Sequence, residues 1–94
     1  MNTRWVRVVG DGAVYLGPCL VHSITLWPEA NEDYSRVYDG RDATSGKMFV
    51  ELQASTRTTL HVTFEGGVPF DQGIYVDGKD AEVETTVVFT PLEL

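Results

Sequence analysis

The side chains that could do chemistry are few in this sequence. His22 and His61 are the only histidines, and Cys19 is the only cysteine. A catalytic metal site usually takes three protein ligands, and a metal-dependent β-sandwich enzyme needs a cluster of histidines. Two histidines on separate predicted strands do not supply that set. We expect His22, which alternation places on one face with Leu20 and Ile24, to be partly buried. We expect His61 to point to solvent and no metal to be bound.

The candidate nucleophiles give no better signal. Cys19 follows a Gly-Pro pair at the start of a predicted strand. A free cysteine is most often a small buried apolar side chain, and nothing basic stands nearby in the sequence to lower its pKa. No serine lies in a Gly-x-Ser-x-Gly segment. We predict that the chain is not an enzyme and has neither catalytic residues nor a cofactor.

Two acidic segments share the pattern Asp-Gly-basic-Asp, at 39–42 and at 77–80. Calcium takes six to eight oxygen ligands, usually from several carboxylates in one loop. Each segment offers two carboxylates with a cation between them. Asp and Gly both favour turns, so we interpret these segments as turns, the second of them a hairpin turn.

The aromatic side chains allow two interpretations. The candidates are Trp5, Tyr15, Trp27, Tyr34, Tyr38 and Tyr75. They could form a sugar-stacking platform, as in carbohydrate-binding modules built on β-sandwiches. They could also pack in the core or in a subunit interface, where Trp and Tyr are enriched. We expect Trp27, next to a proline, to be exposed, and we predict that Trp5 and Trp27 contribute to a partner interface.

Length and composition indicate one globular domain spanning residues 1–94. The sequence is 43% hydrophobic and 22% charged, with 14 acidic and 7 basic residues and a net charge of −7. That charge repels phosphate backbones and argues against a nucleic-acid partner. We expect no membrane segment, because no apolar run is long enough to span a bilayer and the first residues do not resemble a signal peptide. The single cysteine favours folding in a reducing cytosol.

Alternation of apolar and polar residues indicates strands and no helix. The predicted strands are 4–9, 13–16, 19–27, 34–39, 47–54, 57–65, 68–77 and 82–90. We place a tight turn at Gly66-Gly67, and we expect Gly73 to mark a bulge or a close backbone approach within its strand.

The strand pattern defines the expected fold and core. Each strand has one dry and one wet face, as in antiparallel sheets that pack face to face. The fold class is therefore all-β, an antiparallel β-sandwich of jelly-roll type with seven to eight short strands. The expected core is Val6, Val8, Ile24, Leu26, Val37, Met48, Val50, Leu52, Leu60, Val62, Phe64, Phe70, Ile74, Val76, Val83, Val87 and Phe89.

One ordered set of short motifs covers roughly residues 34–90. It runs from Tyr-Asp-Gly at 38–40, through a Ser-Gly turn at 45–46 and Thr-Phe at 63–64, to Phe-Asp-Gln-Gly-Ile-Tyr-Val at 70–76. This order resembles small all-β virion proteins of tailed bacteriophages, which decorate or cement capsids or serve as accessories on tails and necks.

The resemblance implies a structural role. It implies a virion protein, made in the host cytoplasm, that docks on capsid or tail subunits by surface complementarity without turnover, and that forms a homo-oligomer. It leaves open whether the site is on the capsid or on the tail. The alternative is a carbohydrate-binding β-sandwich module that uses exposed Trp and Tyr side chains.

Overall fold

Eight β-strands make up the regular structure of the computed structural model, which describes residues 2–92. They are β1 (Arg4–Val9), β2 (Asp11–Leu16), β3 (Cys19–Trp27), β4 (Asp33–Asp39), β5 (Lys47–Ala54), β6 (Leu60–Phe70), β7 (Gly73–Gly78) and β8 (Glu84–Pro91). The prediction of an all-β chain with seven to eight short strands is confirmed. Over the described residues, no helix has the length and apolar character to cross a bilayer.

The strands form two four-stranded sheets. Sheet I has the order β1-β8-β3-β6 and sheet II the order β2-β7-β4-β5, and all paired neighbours are antiparallel. The first strand pairs with the eighth, the second with the seventh, the third with the sixth and the fourth with the fifth. This nested pairing, in which one long hairpin folds over on itself, is the order of a jelly roll. The predicted fold class is therefore confirmed.

The core lies between the two sheets. Predicted core residues that are buried are Val8, Ile24, Leu26, Val37, Leu52, Phe70, Ile74, Val76, Val83, Val87 and Phe89. Others pack against this core while partly exposed: Val6, Val50, Leu60, Val62 and Phe64. Thr85 of β8 also donates a hydrogen bond to the Ser35 hydroxyl of β4 at 2.8 Å, which pairs two buried polar groups across the sheets. Full burial of a Val, Leu, Ile or Phe side chain contributes about 1.5–3 kcal/mol, so the shared interior holds the sheets together.

The prediction of a buried Met48 is wrong, and a β-bulge is the reason. Val37 pairs with Val50 and Tyr38 pairs with Met48, which leaves Phe49 as an extra residue in β5. The bulge turns Met48 outward, where its residue exposure is 53%, and directs the Phe49 ring, still 37% exposed, toward β6. The Phe49 ring packs edge-on against the rings of Phe64 and Phe70, with centroid distances of 5.3 and 5.2 Å.

One predicted turn and one predicted strand are also corrected. Gly66 and Gly67 form no tight turn; they lie within β6, with φ of 79° and 84°, in an irregular stretch where the register against β3 shifts. The predicted strand 68–77 is divided by a turn at 71–72. Gly73 follows that turn, where an added Cβ would collide with the Tyr15 carbonyl oxygen, so the expected close backbone approach is confirmed.

The predicted hairpin turn at 77–80 is a crossover between the sheets. It joins β7, in sheet II, to β8, in sheet I, and these two strands do not pair with each other. The nested strand order explains the difference, because in a jelly roll only β4 and β5 are joined as a hairpin of sequential strands within one sheet.

Asp39 connects the end of β4 to the turn between β6 and β7. Its carboxylate accepts hydrogen bonds from the backbone N–H groups of Asp71, Gln72 and Gly73 at 3.0, 2.9 and 3.4 Å. The N–H of Gly40 in turn donates to the carbonyl oxygen of Gly73 at 3.2 Å. Charge-assisted hydrogen bonds of this kind are stronger than neutral ones, so Asp39 fixes the position of the turn.

We expect Phe49→Ala to destabilise the fold and Met48→Ala to leave it nearly unchanged. The first substitution removes a ring that packs on two others, at a cost of about 1–3 kcal/mol, below the cost at a fully buried site because Phe49 is 37% exposed. The second changes an exposed side chain and should stay within about 0.5 kcal/mol. Urea denaturation of both variants measures the difference, and a larger loss for Met48→Ala would show that the bulge is absent.

Candidate functional site

Both predicted interface residues lie on the outer surface of sheet I, which we call the tryptophan face. Trp5 of β1 is 70% exposed and Trp27 of β3 is 55% exposed. Trp5 stands opposite Val88, and Trp27 stands opposite Glu84, on the strand β8 that separates β1 from β3. The fold therefore brings two residues that are far apart in the sequence onto one surface.

A polar row crosses the tryptophan face between the two tryptophans. The cross-strand pairs align Arg7, Thr86, Thr25 and His61 over all four strands of sheet I. The guanidinium of Arg7 forms an ion pair with Glu84 at 3.1 Å. The ring of His61 is exposed, as predicted, and its Nδ1 lies 2.6 Å from the Thr25 hydroxyl. The surface thus combines large aromatic side chains with hydrogen-bonding groups that are already paired.

His22 lies within sheet I and contacts a neighbouring strand. It is the extra residue of a bulge in β3, because Val21 and Ser23 pair with successive residues of β8. Its Nε2 lies 2.7 Å from the Thr90 hydroxyl, and the ring is partly buried, as predicted. The bulge also separates the faces of Leu20 and Ile24, so the expectation that His22 shares one face with both is wrong.

Three tyrosines lie together on the outer surface of sheet II, which we call the tyrosine face. Tyr75 of β7 pairs with Tyr38 of β4, and Tyr34 lies further along β4. The guanidinium of Arg36 lies 4.4 Å from the centre of the Tyr34 ring and donates to Glu51 at 2.6 Å. Arginine, tyrosine and methionine are enriched in protein interfaces, and Met48 stands beside Tyr38 in the same row.

The structure does not bring the six candidate aromatic residues into one platform. The two tryptophans lie on the opposite side of the sandwich from Tyr34, Tyr38 and Tyr75, and Tyr15 packs inward against Phe89 with a centroid distance of 5.3 Å. The tyrosine face was not predicted from the sequence. The spacing of residues 34, 36 and 38, which share one face of a strand, was the available signal.

Two of the concave regions that are open to solvent lie beside residues discussed above. A groove of about 320 Å³ lies between β5 and β6; its lining residues are Asp39, Lys47, Met48, Phe49, Val68, Pro69 and Phe70. A smaller cleft of about 70 Å³ beside Trp27 is lined by Pro28 and the three carboxylates of Glu29, Glu82 and Glu84. The negative charge of Glu82, together with its hydrogen bond, raises the pKa of Glu29.

The acidic turns use their carboxylates to bind backbone and hydroxyl groups. Asp42 accepts hydrogen bonds from the N–H and the hydroxyl of Ser45 at 2.7 and 2.8 Å, and these bonds lower the pKa of Asp42. Asp80 accepts one from the N–H of Glu82 at 2.9 Å. Within residues 2–92, no three His, Cys, Asp or Glu side chains are grouped so that they could hold a metal ion.

Cys19 is buried in the core. Burial, with a smaller effect from the charge of Asp39, raises the pKa of the thiol from 9.0 to about 11. The thiolate is the nucleophilic form of cysteine, so the environment of Cys19 opposes nucleophilic chemistry at neutral pH.

No protein-family model, curated protein or solved structure matches the chain.

We expect the Cys19 thiol to resist a thiol-specific reagent at pH 8 in the folded state. The difference between a pKa of 9.0 and one of about 11 makes the thiolate about 100-fold scarcer than in the unfolded chain, and burial slows the reaction further. Because the folded pKa is the higher one, the thiol form stabilises the fold below pH 9, and this contribution is lost as the pH rises through 11. The colour change with Ellman's reagent, with and without denaturant, measures the ratio. Equal rates would contradict the placement of Cys19.

Proposed function

We propose that the chain is a structural subunit of a tailed-phage virion and that it docks on a capsid or tail subunit through the tryptophan face. The interaction works by surface complementarity and burial of area, without turnover. The observation that carries the proposal is the exposure of Trp5 and Trp27 on one outer surface.

Exposed tryptophans on a folded sheet favour a protein partner. Tryptophan is enriched among the residues that contribute most to binding energy in interfaces, where a few anchors are surrounded by polar contacts. Trp27 is surrounded by polar contacts of this kind, because the Arg7–Glu84 ion pair and the polar row lie beside it. A specific interface needs roughly 1,000 Å² or more of buried surface, and the four-stranded face offers a continuous surface for it.

The fold is compatible with the proposal, and the motif order favours it. Jelly rolls are common in viral capsid proteins, and also in lectins, so the fold by analogy favours both of the functions considered from the sequence. The phage-like motifs at 38–40 and 70–76 contain residues that contact each other through Asp39. Two of the motifs on which the resemblance rests are therefore in contact in this fold.

The proposal predicts that Trp27→Ala weakens docking on virions and that Met48→Ala does not. Truncation of a central interface anchor costs at least about 2 kcal/mol, which is roughly a 30-fold loss of affinity. Met48 is a suitable control, because it is similarly exposed but lies on the outer surface of sheet II. The measurement is co-sedimentation of the purified chain with particles of the encoding phage from which the chain has been deleted.

Three outcomes decide whether the chain has the proposed virion role. Saturable co-sedimentation that is lost with Trp27→Ala supports the proposal. Failure of the unmodified chain to bind the particles contradicts it. Retention on a glycan array together with failure to bind the particles would replace it with the carbohydrate-binding alternative.

A further inference from the structure

Edge strands decide how a two-sheet sandwich meets other chains. In this fold β1 and β6 are the edges of sheet I, and β2 and β5 are the edges of sheet II. An edge strand carries unpaired backbone N–H and C=O groups, which pair readily with another strand unless bulges, prolines or charges interrupt it.

Three of the four edges are interrupted. In β2, Ala13 and Tyr15 pair with adjacent residues of β7, so Val14 is bulged. In β5, Phe49 is bulged. In β6, the register shift around the two glycines and the presence of Pro69 break the edge. These features oppose the addition of a further strand at β2, β5 and β6.

The remaining edge is regular. β1 pairs with β8 residue for residue from Arg4 to Val9, and it contains no glycine or proline, although Arg4 and Arg7 place two charges on it. Of the four edges in the described part of the chain, it is the one without a bulge. It also carries two of the most exposed apolar side chains, Trp5 at 70% and Val9 at 53%.

We propose that β1 pairs with β1 of a second copy across a twofold axis and so joins the two copies of sheet I into one continuous antiparallel sheet. This inference goes beyond the proposed function and does not depend on it. A twofold axis closes the assembly, because each copy uses its one regular edge and no further strand can add there.

The side-chain pattern restricts the register of this pairing. Residues directly opposite each other in an antiparallel pair point to the same face. Each of Trp5, Arg7 and Val9 in one copy must therefore lie opposite a residue of that same set in the other copy. The same holds for the set Arg4, Val6 and Val8. Two registers satisfy this rule with the greatest overlap. One is centred on Val6 and the other is centred on Arg7.

Charge selects between the two registers. The register centred on Arg7 places that residue opposite itself, and like charges directly opposite are unfavourable. The register centred on Val6 places Trp5 opposite Arg7 of the second copy, and the reverse, so the axis generates two Trp–Arg pairs. An arginine over a tryptophan ring is the most favourable cation–π combination. In the single chain Arg7 pairs with Glu84 of β8, on the side of β1 away from the edge, so the Trp–Arg contact of the dimer would compete with that ion pair.

The register can be tested by placing opposite charges at one position. In the Val6 register, residue 5 of each copy lies opposite Arg7 of the other copy. Trp5→Lys therefore creates two pairs of like charges in the dimer, whereas Trp5→Glu creates two ion pairs. We expect Trp5→Lys to raise the dimer Kd at least ~10-fold relative to Trp5→Glu. Both changes are on an exposed side chain, so both variants should fold. Met48→Lys, the same charge change at an exposed position on the other sheet, should leave the Kd unchanged.

Sedimentation equilibrium of the full chain over a concentration series measures each Kd. The inference is overturned if the unmodified chain stays at its monomer mass of 10.4 kDa, if Trp5→Lys and Trp5→Glu have the same Kd, or if Met48→Lys weakens the dimer as much as Trp5→Lys.

The two proposals fail separately. A chain that stays monomeric but binds particles overturns only the strand pairing. A dimer with the expected response to Trp5→Lys and Trp5→Glu that does not bind particles overturns only the virion role.

Discussion

The carboxylate of Asp39 accepts hydrogen bonds from three successive backbone N–H groups, those of residues 71–73, at distances of 2.9–3.4 Å. Through them it ties the end of β4 to a turn more than thirty residues further along the chain. The same turn receives a backbone hydrogen bond from Gly17, whose N–H donates to the Gln72 carbonyl oxygen at 2.9 Å. Three loops thus meet at one end of the sandwich. These hydrogen bonds fix how the three loops lie against one another.

The period of the apolar residues predicted the strands and most of the core, because alternation reports which side of a strand is dry. It could not predict the bulges. One extra residue, such as Phe49 or His22, reverses the faces that follow, and its position depends on the partner strand rather than on local sequence. Met48 was misplaced for that reason. Tyr34 and Tyr38 share one face of β4, and their spacing alone could have grouped them. Tyr75 joins them only because the nested topology makes β7 the neighbour of β4.

The two outer surfaces of the sandwich differ in chemistry, and both proposals place the contacts with other chains on the sheet that carries the tryptophan face. The tryptophan face presents Trp5 and Trp27 around a polar row, whereas the tyrosine face has its arginine engaged with both a ring and a carboxylate. In the two proposals both tryptophans belong to the face that docks on other subunits, and Trp5, at the edge of the sheet, also contacts the second copy. A dimer would then carry two copies of the Trp27 surface on one extended sheet, which would strengthen docking through avidity.

Asp39 is the side chain that links distant segments of the fold, and a comparison of two alanine variants tests this directly. Asp39→Ala removes acceptors that join β4 to the β6–β7 turn, whereas Asp42→Ala removes acceptors used only within its own loop, by Ser45. Urea denaturation should give a loss of at least about 2 kcal/mol in the free energy of unfolding for Asp39→Ala and less than about 1 kcal/mol for Asp42→Ala. Equal losses, or a larger loss for Asp42→Ala, would contradict the central role of Asp39.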